Sequence, residues 1–196
     1  MGFYLEQKKE EKRQGLLDAA YALFLEKGTV KTTINDIVER ARVAKGTFYL
    51  YFRDKETVLQ ALVYKISYRI LSESYAAMER RRTDDFAENV ILLVDYIIEY
   101  FKKDKEVLRI LERNFSWPLL ENEIARGDDP LVVRLRADLC ASAIWKNRTE
   151  DEIFKLIFII VEMCGSICYA AMIENRPDTI DNMKPVLYDI IRKSLR

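Results

Sequence analysis

Eight residues, "KGTFYLYF" at positions 45–52, set an unusual packing problem. They place four aromatic rings in five consecutive positions, directly after a lysine and a glycine. A short helix has only one inward face, so it cannot bury all four rings. Phe48 and Phe52 are four residues apart and share a face, which predicts that both rings belong to a core. Tyr49 and Tyr51 point in other directions and need another explanation.

Gly46 has no evident structural role in such a helix, because glycine in a helix interior costs about 1 kcal/mol relative to alanine. Close approach of a bulky partner to the helix N-terminus would account for it. DNA fits, since a helix N-terminus offers unpaired N–H groups and partial positive charge to phosphates. In the major groove, a missing side chain lets the backbone and its neighbours reach base edges. Lys45 and the tyrosine hydroxyls can donate hydrogen bonds to phosphate oxygens.

The local charge agrees with a polyanionic partner. The whole chain carries 32 basic and 32 acidic residues, so no overall field attracts nucleic acid. Between residues 40 and 55, in contrast, five basic residues stand against one acidic residue, a local net charge of +4. The basic residues are Arg40, Arg42, Lys45, Arg53 and Lys55.

Helical periodicity continues on both sides of this segment. A first helix is predicted over residues 7–27, with Gly28 as a natural stop. Thr33 and Asp36 then resemble a capping box that opens a second helix. This second helix and the helix that begins at Lys45 are separated by a short turn. Two short helices in this arrangement predict a helix-turn-helix.

The rest of the chain also has helical period, and no stretch alternates as a strand does. A long amphipathic helix is predicted to begin near Asp54 and to end in the polar stretch at 80–85. Further helices are predicted at 84–103, 105–115, 130–146, 150–174 and 179–195. The fold class is therefore all-α.

Composition argues against several classes of protein. The chain has no histidine, the commonest metal ligand and general base, and no phosphate-binding loop or nucleophile–base pair, so we expect no enzyme, metal or cofactor. Its three cysteines, Cys140, Cys164 and Cys168, are an odd number in mid-chain and indicate a reducing cytoplasm. The most apolar segment, residues 153–173, is interrupted by two charged side chains, so we expect burial within protein and no membrane span.

Residues 32–62, "TTINDIVERARVAKGTFYLYFRDKETVLQAL", resemble the DNA-binding signature of TetR-family transcriptional regulators. That signature combines a Thr-Thr helix start, a turn, the pattern K-G-T-[LF]-Y-x-[YH]-F and a Lys-Glu start to a long helix. The resemblance covers the first third of the chain. Two positions depart from the pattern: Arg42 replaces a turn glycine, and Ala44 replaces a serine that caps the recognition helix. The missing cap is expected to weaken the start of that helix by about 1 kcal/mol.

The resemblance implies an N-terminal three-helix helix-turn-helix head and a C-terminal helical domain for ligand binding and dimerisation. We accordingly divide the chain into a DNA-binding domain at 1–53, a connecting long helix at 54–82 and a ligand-binding and dimerisation domain at 83–196.

The resemblance also implies which residues contact DNA. The positions that match phosphate contacts are Thr33, Tyr49, Tyr51 and Lys55. The positions that approach base edges are Lys45, Gly46 and Thr47. Arg42, although it departs from the pattern, is expected to add a phosphate contact. The alternatives are packing of both tyrosines against the long helix and simple solvation of the lysines, and for Arg40 and Arg53 neither role is favoured.

The C-terminal part is expected to form a dimer. Residues 153–173 are apolar nearly all round, and burial by both their own domain and a second copy would use every face. In the family, the last two long helices of each subunit form a four-helix interface. The resemblance therefore implies a homodimer through residues 150–195 that reads a near-palindromic operator in double-stranded DNA.

Family members usually bind a small, often apolar molecule among their C-terminal helices. The residues that could line such a cavity are Tyr96, Phe115, Trp117, Trp145 and Met163. Membership of the ordinary core is the alternative for each of them. Because no interior arginine cluster is evident, an apolar or aromatic effector is favoured over a strong anion.

Together these expectations describe a cytoplasmic, homodimeric repressor that a small molecule releases from its operator. Two other functions stay open at this point. One is a helical small-molecule or lipid-binding protein without sequence-specific DNA binding. The other is a protein-interaction module whose helix-turn-helix serves a protein partner.

Overall fold

The computed structural model describes residues 2–111, 129–142, 144, 146 and 148–195, and for residues 2–5 the backbone alone. All regular structure in these residues is helical, which confirms the predicted all-α class. The chain divides into two compact units, Met1–Ile66 and Ser67–Arg196. The division into domains at residues 53 and 82 stays a prediction.

The N-terminal unit is built from four helices. These are α1 (Gly2–Lys31), α2 (Ile34–Arg40), α3 (Lys45–Tyr49) and the beginning of α4 (Lys55–Glu79). The α1 helix is interrupted at Gly28, whose φ of 81° and ψ of 161° are not helical. Glycine adopts this positive φ without the steric penalty of a Cβ atom, so the predicted stop at Gly28 is confirmed.

The predicted capping box opens α2. The Thr33 hydroxyl accepts a hydrogen bond from the Asp36 backbone N–H at 3.2 Å, and the Asp36 carboxylate accepts one from the Thr33 N–H at 2.7 Å. Lys27 adds an ion pair to the same carboxylate at 2.7 Å. The Lys27 hydrogen bond, followed by those from Thr33, holds the pKa of Asp36 well below its ordinary value. The start of α2 is thereby tied to the end of α1.

The core of this unit contains the two phenylalanines of the 45–52 segment, as predicted. Phe48 is 0% exposed and Phe52 is 3% exposed, and their ring centroids lie 5.9 Å apart. Other fully buried members of the core are Leu16, Leu17, Ile37 and Val58. They come from α1, α2 and α4, so the short α3 is held by its apolar side chains.

In the C-terminal unit, α4 is followed by five helices in the described residues. They are α5 (Phe86–Lys103), α6 (Lys105–Leu111), α7 (Pro130–Ala141), α8 (Glu150–Met172) and α9 (Ile180–Ser194). The α7 helix ends earlier than the predicted residue 146, because Ser142 leaves the helical conformation with a ψ of 154°. The end of the helix predicted at 105–115 lies outside the described residues.

A network of polar side chains joins α9 to α5. The Lys184 ammonium donates to Asp95 at 2.7 Å and also to Glu99. The Tyr188 hydroxyl donates to Asp95 at 2.6 Å. Lys184 keeps only 15% of its side chain exposed, so its charge depends on these carboxylates for compensation.

This network predicts a pH-dependent stability. Burial opposes the ionisation of Asp95, but hydrogen bonds from Lys184 and Tyr188 outweigh it and lower the Asp95 pKa. The Glu99 pKa is lowered chiefly by Lys184. Because both carboxyl pKa values are depressed in the folded state, their stabilising effect is complete above the unfolded values, about 4, and disappears as the pH falls through the folded values.

The Lys184→Met variant measures this effect. At pH 7 we expect the variant to be less stable to urea by about 2 kcal/mol, a value reduced from that of a buried pair because the carboxylates are partly exposed. At pH 3 the difference should shrink, because this pH lies below the unfolded carboxyl pKa values of about 4, where the stabilising effect of the lowered folded values begins to be lost. An equal loss at both pH values would show that Lys184 contributes only through packing.

The apolar helix α8 buries only part of its surface within the chain. Ile153, Ile160 and Cys168 are buried, whereas Phe158 is 39% and Ile159 is 58% exposed. By length and composition alone α8 could cross a membrane, a weak indication that core helices also give. Burial raises the pKa of the Cys164 and Cys168 thiols to about 12, so both are poor nucleophiles at neutral pH.

Candidate nucleic-acid interface

The α3 helix begins at Lys45 without a side-chain cap. Ala44 occupies the N-cap position in an extended conformation, and its methyl group cannot accept a hydrogen bond. The Thr47 backbone N–H donates instead to the Ala44 carbonyl at 2.8 Å. The helix ends at Tyr49, with Leu50 as its C-cap. Packing of Phe48 and Phe52 therefore holds a helix that has weak local support.

The four rings separate into two pairs. Phe48 and Phe52 are buried, whereas Tyr49 is 53% exposed and Tyr51 is half-buried. The Tyr49 ring meets Phe48 edge-to-face, with centroids 5.4 Å apart and planes at 83°. The contact with buried Phe48 holds the Tyr49 ring in place, and about half of Tyr49 stays exposed.

Gly46 faces open space. A Cβ atom built at this position would have no atom within 4 Å, and the backbone φ lies outside the left-handed region. Nothing in the described residues therefore requires glycine here, either for packing or for backbone conformation. The absence of a side chain leaves the exposed N-terminal turn of α3 open to close approach.

Ion pairing distinguishes the basic residues of this region. Arg40 pairs with a carboxylate of α1 at 2.6 Å, and Arg53 pairs with Asp54 at 2.8 Å. Arg42 and Lys45 are exposed, and neither side chain has a hydrogen bond or ion pair with any described residue. Among the basic residues between positions 40 and 55, Arg42 and Lys45 are therefore the two whose charge no described residue compensates.

Lys55 has protein partners instead. Its ammonium donates to the backbone carbonyls of Thr29 at 2.8 Å and Thr32 at 3.0 Å. These carbonyls lie where the chain passes from α1 to α2, so Lys55 ties the start of α4 to that connection. Thr33 likewise uses its hydroxyl in the α2 capping box. DNA contact by these two residues stays a prediction, and both have local structural roles.

Substitution of Lys55 tests its structural role. The Lys55→Met variant should lose about 2 kcal/mol of stability, because hydrogen bonds to a charged group contribute about 1.5–3 kcal/mol. The matched Lys45→Met variant removes an unpaired charge and should unfold at the wild-type urea concentration. Equal midpoints for Lys55→Met and wild type would show that the Lys55 ammonium is not needed by the fold.

Arg42 occupies the left-handed region of the backbone, with a φ of 55°. For a residue with a Cβ atom this conformation costs roughly 1–2 kcal/mol. Ala41, the C-cap of α2, still has helical backbone angles. The strained backbone conformation therefore begins at Arg42, in the turn between α2 and α3. The family's preference for glycine at this position has the same physical cause.

The Arg42→Gly variant should therefore be more stable than wild type. We expect a gain of up to about 1 kcal/mol, since relief of strain exceeds the larger chain entropy of an unfolded glycine. The Arg42→Ala variant removes the charge but keeps the Cβ, so it should show no such gain in thermal unfolding. A gain of similar size in both variants would locate the cause in the charge and not in the backbone.

Of the predicted effector-binding residues, only Tyr96 and Met163 lie in the described part of the chain, so the grouping of the five stays a prediction. Tyr96 is half-buried on α5 and donates to Glu73 at 3.4 Å, and Met163 is half-buried on α8. Phe115, Trp117 and Trp145 lie outside the described residues. A surface depression of about 430 Å³ includes neither Tyr96 nor Met163. Its lining residues are Ser166, Tyr169, Ala170, Glu174, Arg176 and Pro177.

Leu50 was not among the predicted interface residues, although it is 79% exposed. It follows Gly46 by four residues and thus lies on the same side of α3. Its spacing from Gly46 is the sequence signal that points to it, because the helical period that places Phe48 inward places Leu50 outward.

Comparison with known proteins agrees with this geometry. Residues 16–62 match the model of bacterial regulatory proteins of the tetR family. The HTH-type transcriptional regulator YdgC of Bacillus subtilis is 30% identical over 108 residues, which cover 54% of this chain and 55% of that relative. The probable acrEF/envCD operon repressor of Escherichia coli K12 is 30% identical over 136 residues, which cover 65% of this chain and 61% of that relative. The chain thus spans between half and two thirds of the length of these relatives.

A solved structure extends the likeness beyond the helix-turn-helix. A TetR-family regulator from Syntrophomonas wolfei superposes with a TM-score of 0.63 over 93% of this chain and 94% of its own, at 23% identity. At this identity the likeness concerns the fold, and it includes the C-terminal helices. The family match, the curated relatives and the fold agree: residues 16–62 carry the helix-turn-helix of the tetR family of bacterial regulatory proteins, and the fold of the chain is that of TetR-family regulators.

Proposed function

We propose that this protein is a transcriptional repressor that binds a near-palindromic operator as a homodimer and is released by a small apolar or aromatic molecule. The observation that carries the proposal is the start of α3, where the open position of Gly46 adjoins Lys45. Arg42 and Lys45 both lack protein partners in the described residues. Uncompensated positive charge beside an unobstructed helix end suits approach to a phosphate backbone.

In this proposal the exposed side chains of α3 have distinct roles. Arg42, Tyr49 and Tyr51 contact phosphates, whereas Gly46 and Thr47 approach base edges in the major groove. Lys45, whose position matches a base-edge contact in the family resemblance, also carries an ammonium that can bind a phosphate. Lys55 and Thr33 act mainly by holding the helices in place, since their polar groups already have protein partners.

Exposed apolar surface on the last two helices supports a dimer through residues 150–195. Phe158 and Ile159 on α8 are 39% and 58% exposed, and Val186 and Ile190 on α9 are 57% and 41% exposed. Pairing with the same surface of a second copy would remove these side chains from water. One face of α8 packs on helices of its own unit, and the second copy would cover the other face. The dimer would therefore explain why α8 is apolar nearly all round, and no membrane span is needed.

The direction of regulation and the class of effector belong to the same proposal. The Escherichia coli relative is named a probable repressor, which favours repression here. The effector would bind among the C-terminal helices, with Tyr96 and Met163 as candidate contacts together with Phe115, Trp117 and Trp145. An effector that prefers a dimer with misplaced α3 helices must weaken DNA binding, and DNA must weaken effector binding by the same factor.

We place the protein in the cytoplasm, where the genome of a bacterium lies. We assign it no enzymatic activity, because residues 16–62 match a family of bacterial regulatory proteins. A second candidate function, that of a helical carrier of small molecules or lipids, rests on the apolar C-terminal helices alone.

Selection of duplexes from a random library tests the proposal. A near-palindromic sequence should be enriched, and the logarithm of its affinity should fall steeply with the logarithm of salt concentration. Removal of Lys45 from both copies of the dimer should reduce the slope by about 2, at about 0.9 for each phosphate contact. Tyr49→Ala should also weaken binding.

The matched control is Lys65→Ala, which removes an exposed lysine of the same unit whose ammonium binds Gln14 at 2.8 Å. Its salt slope should equal that of wild type. Enrichment of no sequence would contradict the repressor function and favour the carrier. Selection of an operator whose affinity is unchanged by Lys45→Ala and Tyr49→Ala would place the DNA contacts outside α3.

A further inference from the structure

Leu50 has an environment that the proposed phosphate contacts do not explain. It is 79% exposed, although leucine is among the residues most often buried in proteins. It stands between Tyr49 and Tyr51, and Lys45 lies on the preceding turn of the same short helix. A leucine has no group that could bind phosphate, so its contribution at this surface must be apolar.

In the proposed complex, Leu50 lies on the side of α3 that approaches the bases. Gly46 and Leu50 are four residues apart and therefore lie on one side of the helix, nearly opposite buried Phe48. With no side chain at Gly46, the helix can approach the bases closely, and Leu50 is then the largest side chain on the approaching side. Arg42 and Lys45, which have no partner among the described residues, can meanwhile contact phosphates at the edge of the groove.

Only one base offers an apolar group there. In the major groove thymine presents its C5-methyl group, whereas the other bases present hydrogen-bond donors and acceptors. Contact with that methyl would remove apolar surface of both partners from water. Contact of Leu50 with a donor or acceptor would instead leave that polar group without its water.

We propose that Leu50 is a specificity-determining residue that selects thymine at one position of each operator half-site through contact with the thymine methyl group. The inference rests on the proposed operator binding and adds a base-reading side chain to it. Because the contact is apolar, Leu50 contributes to sequence preference and not to the salt dependence of binding.

Replacement of thymine by deoxyuridine tests this role, because it removes the methyl group and keeps every hydrogen-bonding atom. In the selected operator, each thymine is replaced in turn, together with its symmetry mate in the other half-site. Wild type should lose about fourfold in affinity per half-site at one position, the effect of one buried methyl-sized group, and about 16-fold for the pair. The Leu50→Ala variant should bind the thymine and deoxyuridine operators at that position equally.

The matched control is Val30→Ala, which shortens another aliphatic side chain of the N-terminal unit that is 89% exposed but lies outside α3. This variant should keep the wild-type response to deoxyuridine. Thermal unfolding of both variants should be close to that of wild type, because neither side chain is buried.

Three outcomes would overturn the inference. Wild type could be insensitive to the methyl group at every thymine of a selected operator, which would reject the role of Leu50 and leave operator binding intact. Leu50→Ala could keep the wild-type sensitivity, which would assign the contact to another residue. Failure to select any operator would reject the proposed function, and the role of Leu50 with it.

Discussion

Replacement of Phe48 by alanine is expected to lower the free energy of unfolding of the N-terminal unit by about 3–5 kcal/mol, the range for loss of a buried phenylalanine. Its ring is 0% exposed, so truncation leaves a cavity among side chains that cannot all move inward. The effect should be large because α3 has only five residues and its N-terminus has no side-chain cap. Packing of Phe48 and Phe52 therefore provides the stability that the local interactions of α3 do not provide.

The adjacent ring is the control. Tyr49→Ala removes an aromatic side chain of almost equal size that is 53% exposed. Its edge contact with Phe48 is lost, which corresponds to about 0.5–1.5 kcal/mol, and the ring leaves no enclosed cavity because about half of the residue is exposed. Urea unfolding followed by circular dichroism should show a much lower midpoint for Phe48→Ala than for Tyr49→Ala. Similar midpoints would show that Phe48 does not anchor α3.

Replacement of Gly46 by alanine should have opposite effects on stability and on DNA binding. In the free protein the new methyl group meets no atom within 4 Å, and alanine is the better helix former. We therefore expect a gain of up to about 1 kcal/mol in the free energy of unfolding. In the complex, the same methyl group would stand between α3 and the bases. Overpacking of a close contact costs about 1–3 kcal/mol, so affinity for the selected operator should fall at least about fivefold for each half-site.

Gly15 offers a matched control in the same unit. It lies within α1, and a Cβ at this position would also have no atom within 4 Å. Gly15→Ala should show a comparable gain in thermal stability and wild-type affinity for the operator. If Gly46→Ala bound DNA as wild type does, close approach of α3 to the groove would be excluded. If it lost stability, the glycine would have a structural role that its surroundings do not reveal.

Gly46 and Arg42 illustrate how stability and function separate on this surface. Both residues are expected to leave the free protein less stable than alanine at position 46 and glycine at position 42 would. Neither is required by packing within the described residues. Such locally unfavourable residues are expected where a surface serves a partner, because selection acts on the complex and not only on the free chain.

Much of the fold could be predicted from residue periodicity alone. The spacing of Phe48 and Phe52 predicted their burial, and Thr33 with Asp36 predicted the start of α2. Such features depend on residues three or four positions apart, and helix geometry brings those positions together in any context. The predicted ends of helices were less accurate. The α7 helix ends at Ala141 and not at residue 146, because a helix end depends on a cap or on packing with distant residues.

The roles of the basic residues followed only from the folded chain. In sequence, Arg40, Arg42, Lys45, Arg53 and Lys55 form one cluster of positive charge. After folding, the Lys55 ammonium reaches carbonyls more than twenty residues earlier, and Arg40 reaches a carboxylate of α1. Local spacing contains no information on such pairs, because they arise when separate helices pack against each other. The family resemblance and the buried faces of the helices could thus be inferred from sequence, whereas the tertiary structure was needed to show which of these charges have partners among the described residues.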